Sequence, residues 1–244
     1  MANSLSSRDN LVLQSLFDPE ASSAPAADKS PVTTSLPHFT EHIFSAVEQR
    51  EHSILQPLAN EQQSRAVVES VIYKLSQLID DFPQYASAYV NRAQASRLLV
   101  DVEVLFSSEH ATESARIFDD LSRGIELATP SDSSGSASAH QSKVLATAYT
   151  HRGFLLLKVA DMVKNGRTVH GVKSLATSSA ADIEEIASED FARGGRYGNP
   201  LGKQMAVRTN PYAKMCGAIV KDALQQEIAA SKSQYNILSV GASS

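Results

Sequence analysis

Several sets of side chains in this sequence have types and spacings that could do chemistry. Gly198-Asn-Pro-Leu-Gly202-Lys203-Gln204 approximates a phosphate-binding loop. The glycines are one residue too close, however, and Gln204 stands where a Ser or Thr would hold magnesium. A helical pattern precedes it, so with Gly194-Gly195 it reads as a helix exit and a turn. His38 and His42 could share a helix face, with His52 nearby, but a metal would need a third ligand and second-sphere partners. These histidines border a Ser/Pro-rich segment and read as solvated. Asp80-Asp81 and Asp119-Asp120 are adjacent pairs, and neighbours on a helix point to different faces, so neither pair can act as coupled acid and base. Cys216 has no base placed beside it and reads as a small buried apolar residue. Neither Gly-x-Ser-x-Gly nor His-Glu-x-x-His occurs. No catalytic residue, cofactor or metal is expected, and the chain is read as a non-enzyme.

Composition narrows the setting. The 244 residues carry 22 Lys and Arg against 27 Asp and Glu, a net charge of −5, with no electrostatic footprint for nucleic acid or an anionic membrane. Apolar residues make up 42% and Trp is absent, which favours a thin layered core over a deep one. The longest apolar stretches, such as Phe154 to Leu157, fall far short of the roughly 18 residues of a membrane span. The opening MANSLSSRDN lacks the basic and apolar parts of a secretory signal, and one cysteine suits a reducing compartment. The expectation is a soluble monomer in the cytoplasm, with nuclear entry left open.

The elements that must position any site are helices. Leu11, Val12, Leu13, Leu16 and Phe17 form a short amphipathic stretch ended by Asp18-Pro19, so residues 1–19 read as a helix whose stripe needs burial. Residues 20–38, with Pro25, Pro31 and Pro37, read as a flexible tether. From about residue 39 apolar residues recur at helical steps. Val67 to Ile79, Tyr85 to Leu99, Ile117 to Leu127, Val144 to Val159, Ile183 to Arg193 and Tyr212 to Ile228 are the segments. The Ser-rich stretches 130–142 and 174–181 read as exposed loops, and no strand signal survives.

The helices repeat in pairs. Small residues follow an apolar or aromatic one by four positions at Leu55/Ala59, Tyr89/Ala93 and Tyr149/Gly153. In the second helix of a pair, Ala187, Phe191 and Gly194 repeat a small–bulky–small spacing. Val71, Leu75 and Leu78 match it with larger residues, and Pro83 stands at the expected exit. Small residues let paired helices cross closely while bulky ones fill the gaps. Ala59 and Ala93 are 34 residues apart, the tetratricopeptide-repeat spacing. Later repeats are stretched by insertions near 100–110, 130–142 and 160–181, and Ile117 is atypical. The expected fold is all-α: about three antiparallel pairs (about 51–83, 85–130 and 140–198 within 39–198) stacked as a short right-handed solenoid. A capping region at 199–231 and a tail at 232–244 follow.

The motifs also resemble a known family. Leu13-Gln-Ser-Leu-Phe-Asp-Pro19, Ala86-Ser-Ala-Tyr-Val-Asn-Arg-Ala-Gln94, His151-Arg-Gly153, Asp190-Phe-Ala-Arg193 and Asn210-Pro211-Tyr212-Ala-Lys-Met-Cys216 occur in order. Together they are similar to the tetratricopeptide repeat protein 36 family, also described as Hsp70-binding. The resemblance covers residues 10–19 and most of 55–225, and the insertions depart from it. It implies an adaptor without chemistry of its own, association with Hsp70-type chaperones, and a link to tyrosine breakdown.

Co-chaperones of this repeat class grip acidic chaperone tails with Lys, Asn and Arg on the concave face, since carboxylates want cationic and amide donors. Asn60 and Asn91 fall at the two Asn positions, but Gln56, Thr147 and His151 replace the cations and Arg152 is out of phase. Tight binding of an acidic tail is therefore not expected. The candidate peptide groove comprises Asn60, Tyr89, Asn91, Arg92, Gln94, His151 and Arg152. The leading expectation is a protein-binding scaffold of Hsp70 co-chaperone type; the alternative is a regulatory or protective partner of a metabolic enzyme.

Overall fold

The computed structural model describes residues 38–59, 64–130, 137–175, 177–210, 215 and 219–228. They form α1 (Glu41–Leu55), α2 (Arg65–Asp81), α3 (Ala86–Leu98), α4 (Ala111–Ala128), α5 (Ala139–Lys164), α6 (Ala180–Arg196) and α7 (Pro200–Thr209). Short 3-10 turns lie at Gln56–Ala59 and Lys173–Leu175, and 219–228 is helical. No strand occurs among the described residues, and none of their helices is long and apolar enough to cross a membrane. Leu11–Phe17, residues 20–37 of the 20–38 tether, Asn60, Pro211, Tyr212, Cys216 and the 232–244 tail lie outside the described residues.

Local chemistry starts and stops these helices. Thr40, Ser64, Ser138, Ser179 and Asn199 each accept a hydrogen bond from a first-turn amide. Ser138 with Gln141 and Ser179 with Asp182 complete reciprocal capping boxes. The Ser-rich stretches read as loops thus end as helix caps. Gly166 (φ 68°) and Gly198 (φ 98°) turn the chain out of α5 and α6 in the left-handed region. Gly198–Gln204 is accordingly a turn followed by the first residues of α7, whose N-cap is Asn199.

Consecutive helices pack side by side as α1/α2, α3/α4 and α5/α6, with α7 closing the last pair. α3 also touches α5, and α5 touches α7; residues of α1, α3 and α5, the first helices of the three pairs, line one face. Close crossing recurs at one register. A Cβ on Gly124 would lie 2.5 Å from Val90 Cγ2 and 3.3 Å from the Ala86 carbonyl. One on Gly194 would lie 2.5 Å from Thr150 Oγ1 and 3.3 Å from the Ala146 carbonyl. A Cβ on Gly153 would lie 3.0 Å from the Phe191 ring. Ala93, Ala187 and Phe191 are fully buried, as their repeat positions require.

The first pair departs from the expected register. α1 begins at Glu41 and gives way after Leu55 to a 3-10 turn containing Pro57, whose ring removes a backbone donor. Ala59 is therefore exposed at the end of that turn instead of sitting at a helix crossing, and the pair spans about 41–81.

Among the described residues the core has two clusters, both bordered by Leu99. One gathers Phe44, Val47, Val71, Leu75, Leu78 and Tyr85; the other joins α3 to α6 around Ile117, Leu121, Leu145 and Phe191. Two insertions are built into the second cluster. Leu105 and Phe106 are wholly buried, and Val172 and Leu175 are buried beside them. The His170 amide donates to the Phe106 carbonyl at 3.0 Å, and Ser114 Oγ to the His170 carbonyl at 3.2 Å. α5 runs past the expected Val159 to Lys164, because Ala160 and Met162 also face the core.

Candidate functional site: the concave cleft

The shared face of α1, α3 and α5 encloses a cleft of about 660 Å³. Helical spacing explains its lining: Glu48, Glu51 and Leu55 on α1; Ser87, Val90 and Asn91 on α3; His140, Val144 and Thr147 on α5. Glu48, Glu51 and Leu55, then Ser87 with Val90 and Asn91, then His140, Val144 and Thr147 follow three- and four-residue steps and form one stripe on each helix, with Val90 and Asn91 adjacent.

Glu51 is the electrostatic centre of the cleft. It is buried on α1 within an otherwise apolar stripe of Phe44, Val47 and Ile54. Its Oε2 accepts from the Tyr85 hydroxyl at 2.8 Å and the Ser87 hydroxyl at 3.0 Å, and its Oε1 accepts from Asn91 Nδ2 at 2.8 Å. Burial pushes the Glu51 carboxyl above its ordinary range, and these three donors pull partly the other way. Burial and then the charge of Glu51 raise the Tyr85 phenol, which stays a donor. Tyr85 stacks on His140 at 5.7 Å, and Phe44 meets the same imidazole edge-on at 4.9 Å. Burial lowers the His140 pKa, and its Nε2 has no hydrogen-bond partner.

Of the groove residues expected from sequence, Asn91 lines the cleft. The two arginines turn instead toward their own repeat partners. Arg92 Nε and Nη2 donate to Asp120 at 2.8 and 2.7 Å; Arg152 Nε and Nη2 donate to Asp190 at 2.7 and 2.9 Å. Each guanidinium also lies over an aromatic ring of its own helix, Arg92 over Tyr89 at 5.8 Å and Arg152 over Tyr149 at 5.6 Å. Tyr89 donates its hydroxyl to the Pro83 carbonyl at 3.1 Å. These are bonds that weld first helix to second, and the same geometry occurs in two successive pairs. His151 is partly buried, its Nδ1 has no partner, and burial followed by Arg97 lowers its pKa to about 4. Asp120 is buried while Asp119 is exposed, so that adjacent pair faces two ways. Asn210 ends α7 with its amide on the Ala206 carbonyl.

Glu51, Tyr85, Ser87 and His140 are absent from the sequence-based groove. The available signals were a charge inside an apolar helical stripe and the 34-residue separation of Glu51 from Tyr85, one repeat period. The acidic-tail clamp also reads differently in three dimensions. Asn91's amide is already given to an internal carboxylate, and Thr147 and the poorly protonated His151 stand where cations would. Among the described residues no group of three His, Cys, Asp or Glu side chains could hold a metal.

The chain is 41% identical over 240 residues to the L-tyrosine degradation gene cluster protein hmgX of Aspergillus fumigatus, covering 92% of this chain and 94% of that protein. It is 27% identical over 230 residues to human tetratricopeptide repeat protein 36, covering 89% and 93% of the two chains. The Drosophila pseudoobscura homolog is 25% identical over 223 residues, covering 91% and 95%. No family model and no solved structure matches. With the paired helices, the recurring Arg–Asp welds and this full-length similarity together, the chain belongs to the tetratricopeptide repeat protein 36 family, as a divergent member.

Proposed function

We propose that the protein is a non-catalytic adaptor that holds another protein against its concave face, and that this partner is an enzyme of L-tyrosine breakdown. The carrying observation is the cleft of about 660 Å³ lined by the first helices of three successive pairs, a surface suited to a peptide or helix of a partner. The name of the fungal relative, an L-tyrosine degradation gene cluster protein, supports the class of partner. Glu51 supports it as well, because a carboxylate already on the Asn91 amide opposes an acidic chaperone tail. An Hsp70-type chaperone, the partner the family resemblance implies, would engage a different surface.

The test is capture with the full chain as bait, beside two variants. Thr147→Trp fills the cleft without adding charge, and Val207→Arg alters an exposed position on α7. A tyrosine-breakdown enzyme recovered by wild type and Val207→Arg but lost with Thr147→Trp is the expected result. Equal recovery by all three would move the interface off the concave face. Recovery of Hsp70 with no such enzyme would overturn the enzyme-partner reading.

A further inference from the structure

We propose that the cleft selects a cationic segment of its partner, seating a Lys or Arg side chain against Glu51 and Glu48. The inference rests on the concave-face reading above and names its chemistry.

Buried carboxylates in folded proteins are normally paired with a cation. Glu51 is 6% exposed, lines the cleft, and is held by three neutral donors alone. Among the described residues no cation pairs with Glu51, and Glu48, one helical turn away on the same wall, adds a second negative charge. Of the cationic side chains, Lys143 lines the cleft from the α5 wall, and it forms an ion pair with neither glutamate. His52 and His140 complete the titratable lining, and burial disfavours the charged form of His140.

The hydrogen-bond inventory of Glu51 leaves a place for the incoming group. A carboxylate offers about four acceptor sites. Oε2 uses two on Tyr85 and Ser87, whereas Oε1 uses one on Asn91. The remaining site on Oε1 suits an N–H donor. Tyr85, Ser87 and Asn91 hold the carboxylate in one orientation, so little ordering is required when the donor arrives. An anionic ligand meets the reverse situation: two negative charges on one wall and an Asn91 amide whose Nδ2 already donates to Glu51 Oε1 and to Ser87 Oγ.

The test is fluorescence anisotropy with the full chain and two labelled probes. One is an acetylated, amidated Lys/Arg-rich peptide; the other is a Glu/Asp-rich peptide with a free carboxy terminus. The basic probe should bind with an affinity that falls as salt rises, and the acidic probe should not. Glu51→Gln should weaken the basic probe by about tenfold or more. Glu48→Gln, which removes an exposed charge, should weaken it several-fold, and Lys143→Glu should strengthen it. Glu185→Gln, on the exposed face of α6, controls for the general negative charge and should change nothing. Tighter binding of the acidic probe, or basic-probe binding indifferent to both Glu48→Gln and Lys143→Glu, would overturn the assignment. If neither probe binds while Thr147→Trp still loses its partner, the cationic assignment falls and the concave-face reading stands. If Thr147→Trp keeps its partner, the concave-face reading itself falls.

Discussion

At the scale of single residues, this protein gives most of its buried polar groups a defined neighbour, and His151, like His140, marks where that rule is relaxed. Its Nδ1 has no partner, and burial disfavours the imidazolium. The folded pKa of about 4 lies below the ordinary 6.5, so between these values the unfolded chain binds more protons than the folded one. The corresponding stability is complete above about pH 6.5 and is lost as pH falls toward 4. We expect the melting temperature of the wild type to drop more between pH 7 and 4.5 than that of His151→Gln. Parallel pH profiles would refute the assignment. Glu51 has the opposite sign, since its raised pKa makes ionisation cost stability as pH rises above the ordinary 4.5. Comparing each variant with wild type separates the two.

At the scale of elements, the pairs are joined by a device that repeats. Arg92–Asp120 links α3 to α4 and Arg152–Asp190 links α5 to α6, each through two parallel hydrogen bonds. The Asp190 side chain is 1% exposed, and the other cationic group near it, Arg193 Nη1, is 4.0 Å away. Arg152→Ala would strand a buried carboxylate and should cost about 3–5 kcal/mol. In a domain of this size that corresponds to a fall in melting temperature of about 6–20 °C. Joint replacement by Arg152→Met and Asp190→Leu should recover most of the loss. A single-variant loss below about 1 kcal/mol would show the pair to be dispensable. The insertions serve the same packing logic: Phe106 and Val172 extend the second core, and Gly171 (φ 86°) lets the later insertion approach α4.

At the scale of the whole molecule, stability is divided along the stack. In a solenoid each pair touches its neighbours only, so segments can open separately. The cluster beneath α1 and α2 is the smaller, whereas the cluster joining α3 to α6 gains Leu105, Phe106, Val172 and Leu175 from the insertions and is covered by α7. Hydrogen exchange should therefore be faster in the buried amides of α1 and α2 than in those of α5 and α6. Uniform protection across the stack would contradict this division. The cleft spans the junction: α1 belongs to the smaller cluster and α5 to the larger. A partner bridging these helices should slow exchange in α1 most.

Apolar periodicity, caps and prolines are local properties, and from them the sequence alone marked α2 to α6 and their pairing, whereas α7, over Pro200–Thr209, was not among the segments it indicated. The start of α1 was less legible, because Pro57 moved the helix out of the register that Ala59 suggested. The direction of polar side chains was decided only by tertiary structure. Asn91 and Arg92 are adjacent, yet one lines the cleft while the other reaches Asp120, 28 residues on. Both are polar on a helix, so composition treats them alike; what separates them is which neighbouring helix each meets. The same reason hid Glu51. Its donors come from α3 and its N-cap Tyr85, 34 to 40 residues later, and only the stacking of α1 on α3 turns a charge in an apolar stripe into the centre of a cleft.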